Sequence, residues 1–136
     1  MDNYRLAVST HAFLRIEHES VDPQEVTSIL GLAPTLATSV KESGNERTGP
    51  HGKVWVLSSA WTVNSRDISD HLKWLTDSIG LRRTQLKTLR QRGCDVKIYC
   101  LWFGKKGGYG GPRLTPEVIQ ALAQLELELY FDVGSI

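Results

Sequence analysis

Four histidines and two cysteines are the side chains in this sequence that most often bind transition metals. His11 and His18 are an odd number of residues apart in one predicted strand, so their side chains point to opposite faces of it. His51 falls in a predicted loop and His71 in a predicted helix, and neither has a partner at a metal-binding spacing such as HExxH or CxxC. We therefore expect no metal site, and no other motif indicates a cofactor.

The two cysteines, Cys94 and Cys100, lie six residues apart at and along one predicted strand. At about 3.3 Å per residue their separation is roughly 20 Å, which is far outside the reach of a disulfide. A reactive thiol needs basic, partly open surroundings that the sequence does not indicate. We interpret both cysteines as small buried hydrophobic side chains.

A glycine-rich segment from Gly104 to Arg113 is the stretch most suggestive of ligand binding. It combines flexible backbone with cations directly before a predicted helix start, where free N–H groups and the helix dipole favour anions. It does not match the Walker pattern, which needs Lys-Ser/Thr at the helix start, and it contains no GxGxxG. The candidate residues for binding an anion or an acidic partner are Lys105, Lys106, Tyr109 and Arg113. The alternative is an exposed, mobile loop whose glycines serve backbone geometry.

Five basic residues crowd a predicted helix that has no acid between Leu81 and Cys94. Such a cluster either meets an acidic partner or nucleic acid, or is a solvated helix face, which is the commoner case. Its members are Arg82, Arg83, Lys87, Arg90 and Arg92.

Signatures of an enzyme are missing from the sequence. There is no GxSxG motif of a nucleophilic serine. The carboxylates Glu126, Glu128 and Asp132 alternate along one predicted strand, which indicates a solvated face rather than a paired general acid and base. The sequence therefore favours a non-enzymatic protein.

Apolar periodicity divides the chain into four strands and three helical regions. The predicted strands span about Thr10–His18, Lys53–Ala60, Val96–Phe103 and Leu127–Val133. One helix starts at Pro23 after the N-cap Asp22, and a helical insert spans about Asp67–Arg92. A last helix, with the apolar stripe Val118, Ile119 and Leu122, starts at Pro116. Residues from Thr35 to Gly52 are expected to form a long polar connection. In the last strand, Leu127, Leu129, Phe131 and Val133 form the predicted core row.

Each half of the chain then has the order strand, Pro-started helix, strand. Two such units predict an α+β fold, a ferredoxin-like βαβ–βαβ sandwich with the helical insert between the middle strands. We expect one antiparallel-dominated sheet with both Pro-started helices on one face. The length of 136 residues favours a single domain covering residues 1–136.

The composition excludes several classes of protein. The net charge of +1 and the isoelectric point of about 7.8 give no sign of the basic excess typical of nucleic-acid binding. No stretch approaches the ~18 apolar residues of a membrane span, and the first residues do not resemble a secretory signal. We expect a cytoplasmic protein that binds neither nucleic acid nor membrane.

Large apolar side chains also lie on the strand faces opposite the predicted core. If helices cover one face of the sheet, these side chains coat the other. Three alternatives are open: the helical insert covers them, a second copy of the chain packs on them, or bases or a peptide bind there. Of the three, cover of these side chains by the helical insert is the commonest in proteins. Binding of RNA bases ranks last, because the glycine-aromatic strand motif is missing. The candidate interface residues are Phe13, Tyr99, Phe103 and Tyr130, and Leu101 shares their face.

Residues along nearly the whole chain resemble those of a bacterial family catalogued as domain of unknown function 4279. The resemblance is carried by Leu14–Ile16, Asp22–Thr27, Leu30–Thr35, Gly52, Trp55, Leu72–Leu75, Trp102–Phe103, Gly110–Pro112 and Leu127–Asp132. Most of these are caps, turns and core positions, so the resemblance implies the fold. Glu126 stands where the resemblance implies a glycine, and Lys41-Glu42-Ser43 stands where it implies a Lys-Gly-Asp-like stretch.

The resemblance implies little about activity, since the family has no assigned function. Small domains of this kind also occur near secreted-toxin genes, which implies by association an immunity-type, toxin-neutralising role. We expect a protein-interaction module whose partner is another protein, such as a toxin or a second copy of the chain. The alternative is a small-molecule or anion-binding domain that uses residues 104–113.

Overall fold

The computed structural model describes residues 7–39, 52–108 and 110–136 of the chain. Within these ranges the elements, in chain order, are β1 (Ser9–His18), α1 (Pro23–Leu30), β2 (Leu36–Ser39), β3 (Lys53–Ser58), α2 (Ile68–Ile79), α3 (Arg83–Gln91), β4 (Asp95–Gly104), α4 (Pro116–Gln124) and β5 (Glu128–Ser135). Every predicted strand and helix is present, and the predicted insert consists of α2 and α3.

One strand, β2, is absent from the sequence prediction. Its four residues fall in the segment that the sequence predicts to be a polar connection, and a strand of this length leaves almost no periodic signal. The rest of that connection, including Lys41–Ser43 and His51, lies outside the described residues, as does Tyr109 of the glycine-rich segment.

The five strands form one mixed sheet in the order β2-β3-β1-β4-β5. β1 pairs antiparallel with β3 and β4, β2 pairs antiparallel with β3, and β4 pairs parallel with β5. The expected single, antiparallel-dominated sheet is confirmed. The predicted first βαβ unit is wrong, because β1 and β3 are adjacent antiparallel strands and α1 leads instead into β2. The described chain is therefore an α+β structure with a five-stranded mixed sheet and four helices.

The helices share one face of the sheet with the buried side chains of the central strands. Alternate residues of β1 and β4 are buried there, and residues from every helix join them in one cluster. The cluster includes Ala12, Leu14 and Ile16 of β1; Val96, Ile98 and Cys100 of β4; Val26 and Leu30 of α1; Leu72 and Leu75 of α2; Leu86 and Leu89 of α3; and Val118 and Leu122 of α4. The core of the described chain thus lies between one sheet and one layer of helices.

The start of α1 differs in detail from the prediction. The helix begins at Pro23 and ends before Gly31, whose φ of 70° suits glycine, as the sequence indicates. The side chain of Asp22, however, caps no N–H group of the helix. Its Oδ1 lies 2.5 Å from Lys53 Nζ, so this carboxylate ties the helix start to β3 instead.

The strand whose burial departs most from the prediction is β5. Leu129 is half-buried, and Phe131 and Val133 are 43% and 52% exposed. Ile119 of α4, which the helical stripe predicts to be buried, is 53% exposed. Leu127 and Leu129 pack against the core, but the predicted core row is wrong for Phe131 and Val133, because β5 is the last strand of the sheet and has a strand on one side only. The predicted helical stripe is wrong for Ile119.

Candidate functional site

The face of the sheet opposite the helices carries all four predicted interface residues. The helices α2 and α3 pack on the core side, so the expectation that the insert covers the aromatic side chains is wrong. Phe13, Tyr99 and Phe103 are half-buried, and Tyr130 is 41% exposed. We call this surface the open face; its central residues are His11, Phe13 and Arg15 of β1, Lys97, Tyr99, Leu101 and Phe103 of β4, and Tyr130 of β5.

Three aromatic rings form a row across the open face. Phe13 pairs with Tyr99, and Tyr99 pairs with Tyr130, so register places one ring on each of three adjacent strands. The ring centroids of Phe13 and Tyr99 are 5.3 Å apart, and those of Tyr99 and Tyr130 are 5.5 Å apart. His11 extends the row along β1, with its ring centroid 6.0 Å from that of Phe13. We call these four side chains the aromatic row.

The rings of the aromatic row stand against each other. The planes of Phe13 and Tyr99 differ by only 16° and those of Tyr99 and Tyr130 by 26°. Near-parallel rings with centroids this close cannot lie flat side by side, so they partly cover each other's faces in an offset stack. Lys97 Nζ lies 4.9 Å from the centroid of the Tyr130 ring. The row therefore presents ring edges, rather than free ring faces, to a partner.

Phe103 lies on the same face, nearer the other end of β4. It is opposite Gly134 of β5, where a Cβ atom would lie only 3.0 Å from Phe103 Cδ1. The missing side chain of Gly134 thus makes room for the Phe103 ring. Gly134 is not among the predicted site residues, although a glycine inside an otherwise regular strand often marks such a close approach.

One end of the open face is charged. Arg15 Nε lies 3.0 Å from Glu17 Oε1, and Lys97 Nζ lies 3.2 Å from Asp95 Oδ2. The side chain of Glu17 is only 6% exposed, and its Oε2 has no hydrogen-bond partner in the described structure. Tyr130 donates its hydroxyl hydrogen to Glu128 Oε2 at 2.9 Å. Charges of both signs therefore border the aromatic row.

Two of these contacts shift the pKa values of Lys97 and Tyr130 in the direction that preserves the contacts themselves. The hydrogen bond to Asp95 raises the pKa of Lys97, and the hydrogen bond to Glu128 raises the pKa of Tyr130. Burial, together with the charge of His71, lowers the pKa of His11 below 6.5. At neutral pH the open face thus has a neutral His11, a charged Lys97 and a protonated Tyr130.

The glycine-rich segment lies beyond the end of β4. Lys105, Lys106 and Arg113 are exposed, as are most of the glycines between them. The backbone N–H of Lys106 donates to the carbonyl of Ile136 at 2.9 Å, which ties the start of the segment to the end of β5. Lys105, Lys106 and Arg113 remain candidates for anion binding.

The basic helix is largely engaged within the chain. Arg83 Nη2 lies 2.5 Å from Glu126 Oε1, and Arg92 Nη1 lies 3.1 Å from Glu25 Oε2. Arg90 donates to the backbone carbonyl of Glu126 at 2.6 Å. Arg82 donates to carbonyls at the ends of α1 and α2. These arginines hold helices and turns together, which makes a free basic patch a weak candidate.

A cavity of about 200 Å³ opens beside the start of β4. It is lined by Arg90, Cys94, Asp95, Val96, Glu126 and Glu128. With three carboxylates and one guanidinium around it, this cavity does not suit an anion.

The cysteines and histidines show no arrangement for nucleophilic or metal chemistry in the described ranges. Both cysteines are free and buried, and burial raises the pKa of Cys100 to about 12. His71 is buried between Ser59 Oγ, 2.6 Å from its Nδ1, and the carbonyl of Ser65, 2.7 Å from its Nε2. Among the described residues, no three His, Cys, Asp or Glu side chains are placed to hold a metal ion. A search of the same residues found no helix with the length and apolar character of a membrane span.

Together these observations define an α+β protein with helices on one sheet face and an aromatic row on the other. The family described as Domain of unknown function (DUF4279) matches residues 8–135, nearly the whole chain. The chain belongs to this family. No curated protein and no solved structure matches it.

Proposed function

We propose that this chain is a non-enzymatic protein-interaction module that binds its partner through the open face. The observation that carries the proposal is the aromatic row, which lies on the sheet face away from all four described helices. Contiguous apolar surface of this kind marks binding sites in soluble proteins. Aromatic side chains are also enriched at the centres of protein interfaces, where they contribute most of the binding energy.

The charged border fits a protein partner as well. Interfaces combine an apolar centre with a polar rim, and rim charges orient the partner. Lys97 and Asp95 form such a rim beside Tyr99, and Glu17 Oε2 offers an acceptor that has no partner within the described chain. A Lys or Arg side chain of the partner would complete this set once the Glu17 side chain moves to meet it.

Nucleobase binding is less compatible with the same geometry. Bases bind to sheet platforms by lying on free faces of aromatic rings. In the aromatic row, Phe13 and Tyr99 cover each other, and Lys97 lies over Tyr130. The nearly balanced net charge of +1 also offers little general attraction to phosphates.

Within this proposal we favour an immunity-type protein whose partner is a toxin. Tight neutralisation is helped by a surface that is already ordered before binding, because less entropy is lost on association. The aromatic row meets this condition, since its rings are held in register by three neighbouring strands.

We also infer a ferredoxin-like arrangement for the part of the chain from β1 to β4. The supporting observation is the strand order β2-β3-β1-β4 with antiparallel neighbours, connected through α1 and through α2 and α3. In this assignment β2 and β3 are separate strands of the unit, and α4 with β5 is an addition. An experimental structure with β1 at a sheet edge would contradict it.

The interaction is tested first by photocrosslinking. A photoreactive phenylalanine analogue at Phe13, on the central strand of the open face, should capture a partner in cells, and the same group at Trp61, which is 82% exposed and belongs to a turn after β3, should not. The captured protein is then purified and titrated calorimetrically with wild type, Tyr99→Ala and Trp61→Ala. We expect Tyr99→Ala to weaken binding at least tenfold, as loss of an interface hot spot does. Equal capture from both positions, or unchanged affinity of Tyr99→Ala, would contradict the proposal.

The immunity role needs a separate measurement. Growth of cells that express a toxin encoded beside this gene should be restored by co-expression of wild type or Trp61→Ala. Co-expression of Tyr99→Ala should not restore growth. Growth arrest in the presence of wild type would contradict toxin neutralisation while leaving the interaction proposal intact.

The alternative function, binding of an anion by residues 104–113, is supported by the exposed cations Lys105, Lys106 and Arg113. It is tested by titrating phosphate and nucleotides into wild type, the double variant Lys105→Ala/Lys106→Ala and the distant control Lys87→Ala. Loss of two exposed charge-assisted contacts should weaken binding by roughly 1–3 kcal/mol. Equal binding by wild type and the double variant would remove the loop from the site.

A further inference from the structure

We propose that the outer edge of β5 is a dimerisation site, at which the β5 strand of a second copy of this chain adds antiparallel to form one continuous sheet. This edge adjoins the open face and shares Tyr130 with it. The two proposals are tested by different variants, because Tyr99 lies on β4 away from the edge and Phe131 points toward the helix side. The length of the strand, its exposed side chains and the positions of its charges support strand addition at this edge.

As the terminal strand of the sheet, β5 pairs with β4 only within the described chain. Its other side presents backbone N–H and C=O groups that another strand can pair with. Proteins usually protect such edges with short strands, proline, charged side chains (lysine above all) or a bulge. The opposite edge strand, β2, has four residues, whereas β5 has eight and contains neither proline nor lysine.

The side chains of β5 make this edge apolar on the helix side, whereas on the open face Tyr130 lies between the exposed carboxylates Glu128 and Asp132. Phe131 and Val133 point toward the helix side and are 43% and 52% exposed, and Tyr130 on the open face is 41% exposed. A strand added along the edge would cover these side chains with its own. Because the described chain leaves them uncovered, they favour strand addition over a solvated edge.

A second copy fits this edge because one register is self-complementary. A twofold axis through Phe131 places Phe131 opposite its own copy, Leu129 opposite Val133, and Tyr130 opposite Asp132. Residues opposite each other then lie on the same face, as antiparallel pairing requires. Aromatic and aliphatic pairs of this kind stabilise antiparallel sheets.

The charges of β5 exclude the two neighbouring self-complementary registers. A twofold axis through Asp132 would place two carboxylates directly opposite, and an axis through Tyr130 would place Glu128 opposite Asp132. Like charges in directly opposite positions destabilise a strand pair. Of these three registers, the one centred on Phe131 is therefore favoured, because it places no two carboxylates opposite each other.

The first experiment measures the mass of the full-length protein in solution by light scattering and sedimentation. We expect a dimer, and we expect Phe131→Asp to weaken association at least tenfold, because it places two carboxylates opposite each other at the axis. Leu36→Asp is the matched control, since Leu36 is 55% exposed on the opposite edge strand and should leave the dimer intact. Circular dichroism establishes that both variants are folded.

The second experiment tests the register without adding a charge. Phe131→Cys should form an intermolecular disulfide on oxidation, because directly opposite Cα atoms are about 4.5–5.5 Å apart. Val133→Cys alone should not, because the two copies of residue 133 would be about 13 Å apart along the strands. The native cysteines do not interfere, since both are buried.

Each outcome decides the proposal. A dimer that dissociates in Phe131→Asp and crosslinks through Phe131→Cys supports it. A protein that stays monomeric at roughly 100 μM overturns it, as does a dimer that is insensitive to Phe131→Asp. Crosslinking through Val133→Cys but not Phe131→Cys also overturns it, because the strands would then pair in another register.

Discussion

Glu126 stands just after α4 with a φ of 57°, and among the described residues it is the one non-glycine residue with positive φ. Its N–H donates to the carbonyl of Ala123 and that of Leu127 to Leu122, which is the hydrogen-bond pattern of a Schellman turn. This position favours glycine, since a side chain in the left-handed region costs about 1 kcal/mol. Arg83 and Arg90 hold Glu126 in place through its carboxylate and its carbonyl.

Replacing Glu126 with glycine should therefore stabilise the protein. The relieved backbone strain outweighs the lost ion pair to Arg83, which is exposed and worth little. We expect Glu126→Gly to raise the free energy of unfolding by about 0.5–1 kcal/mol, measured by urea denaturation. Glu126→Gln keeps the strain and loses the charge, and it should change stability by less than ~0.5 kcal/mol. A lower stability of Glu126→Gly would show that the carboxylate contributes more than the strain costs.

His11 should make stability depend on pH. Burial, together with the charge of His71, lowers its pKa in the folded state below 6.5. The unfolded chain thus binds the proton first, and stability falls as pH falls from about 6.5 through the lowered pKa. We expect His11→Gln to flatten this part of the profile, measured as the melting temperature between pH 8 and pH 5. Parallel profiles for wild type and His11→Gln would assign the dependence to other groups.

At the residue scale, strand periodicity was enough to predict that Phe13, Tyr99, Phe103 and Tyr130 share a face. Periodicity predicts the side of a strand but not its neighbours, so the stacking of these rings required the register. The place of Gly134 under Phe103 depends on the same pairing. Whether these residues form an interface stays a prediction.

Ile98 of β4 and Leu129 of β5 are paired, and their burial differs because β5 is the edge of the sheet. Ile98 is fully buried, whereas its neighbour Leu129 is half-buried, although both point toward the helices. We expect Ile98→Ala to cost about 2–5 kcal/mol, as truncation in a packed core does. In the background of Phe131→Asp, which removes the proposed dimer, Leu129→Ala should cost less, roughly 1–2 kcal/mol. Equal losses for the two truncations in that background, measured by chemical denaturation, would contradict the difference between centre and edge.

At the scale of elements, the caps and apolar stripes of the helices predicted their positions well. Pro23, Gly31, Gly80 and Pro116 mark helix boundaries by their own backbone preferences, which do not depend on distant residues. The burial of β5 could not be predicted in the same way. An alternating strand has the same pattern whether it lies at the centre or at the edge of a sheet, and only the order of strands decides between them.

The proposed dimer should make the stability of the whole molecule depend on its concentration. Association stabilises the folded state by mass action, so the melting temperature should rise with protein concentration. We expect this rise in wild type and in Leu36→Asp, and its absence in Phe131→Asp, in calorimetry at concentrations that differ by about a hundredfold. A melting temperature of wild type that does not change with concentration would contradict the dimer.

At the scale of the molecule, the class of fold could be predicted from the sequence, but the order of the strands in the sheet could not. The strands and the helices follow from local patterns. The neighbours of β1, by contrast, depend on which distant segments reach it, and the unpredicted β2 took the place that the prediction gave to β3. Local periodicity contains no information about such pairings.

The central position of β1 also has a consequence for synthesis on the ribosome. Among the described strands β1 is made first, yet one of its two neighbours is β4, which ends at Gly104. At ~5–20 residues per second, the 86 residues from the end of β1 to the end of β4 take about 4–17 s to be added. During that interval an apolar strand containing Leu14 and Ile16 lacks its neighbour on one side, and nascent chains with exposed apolar strands are the ones that chaperones bind. The order of strands thus sets a delay that the speed of translation, rather than the stability of the finished sheet, controls.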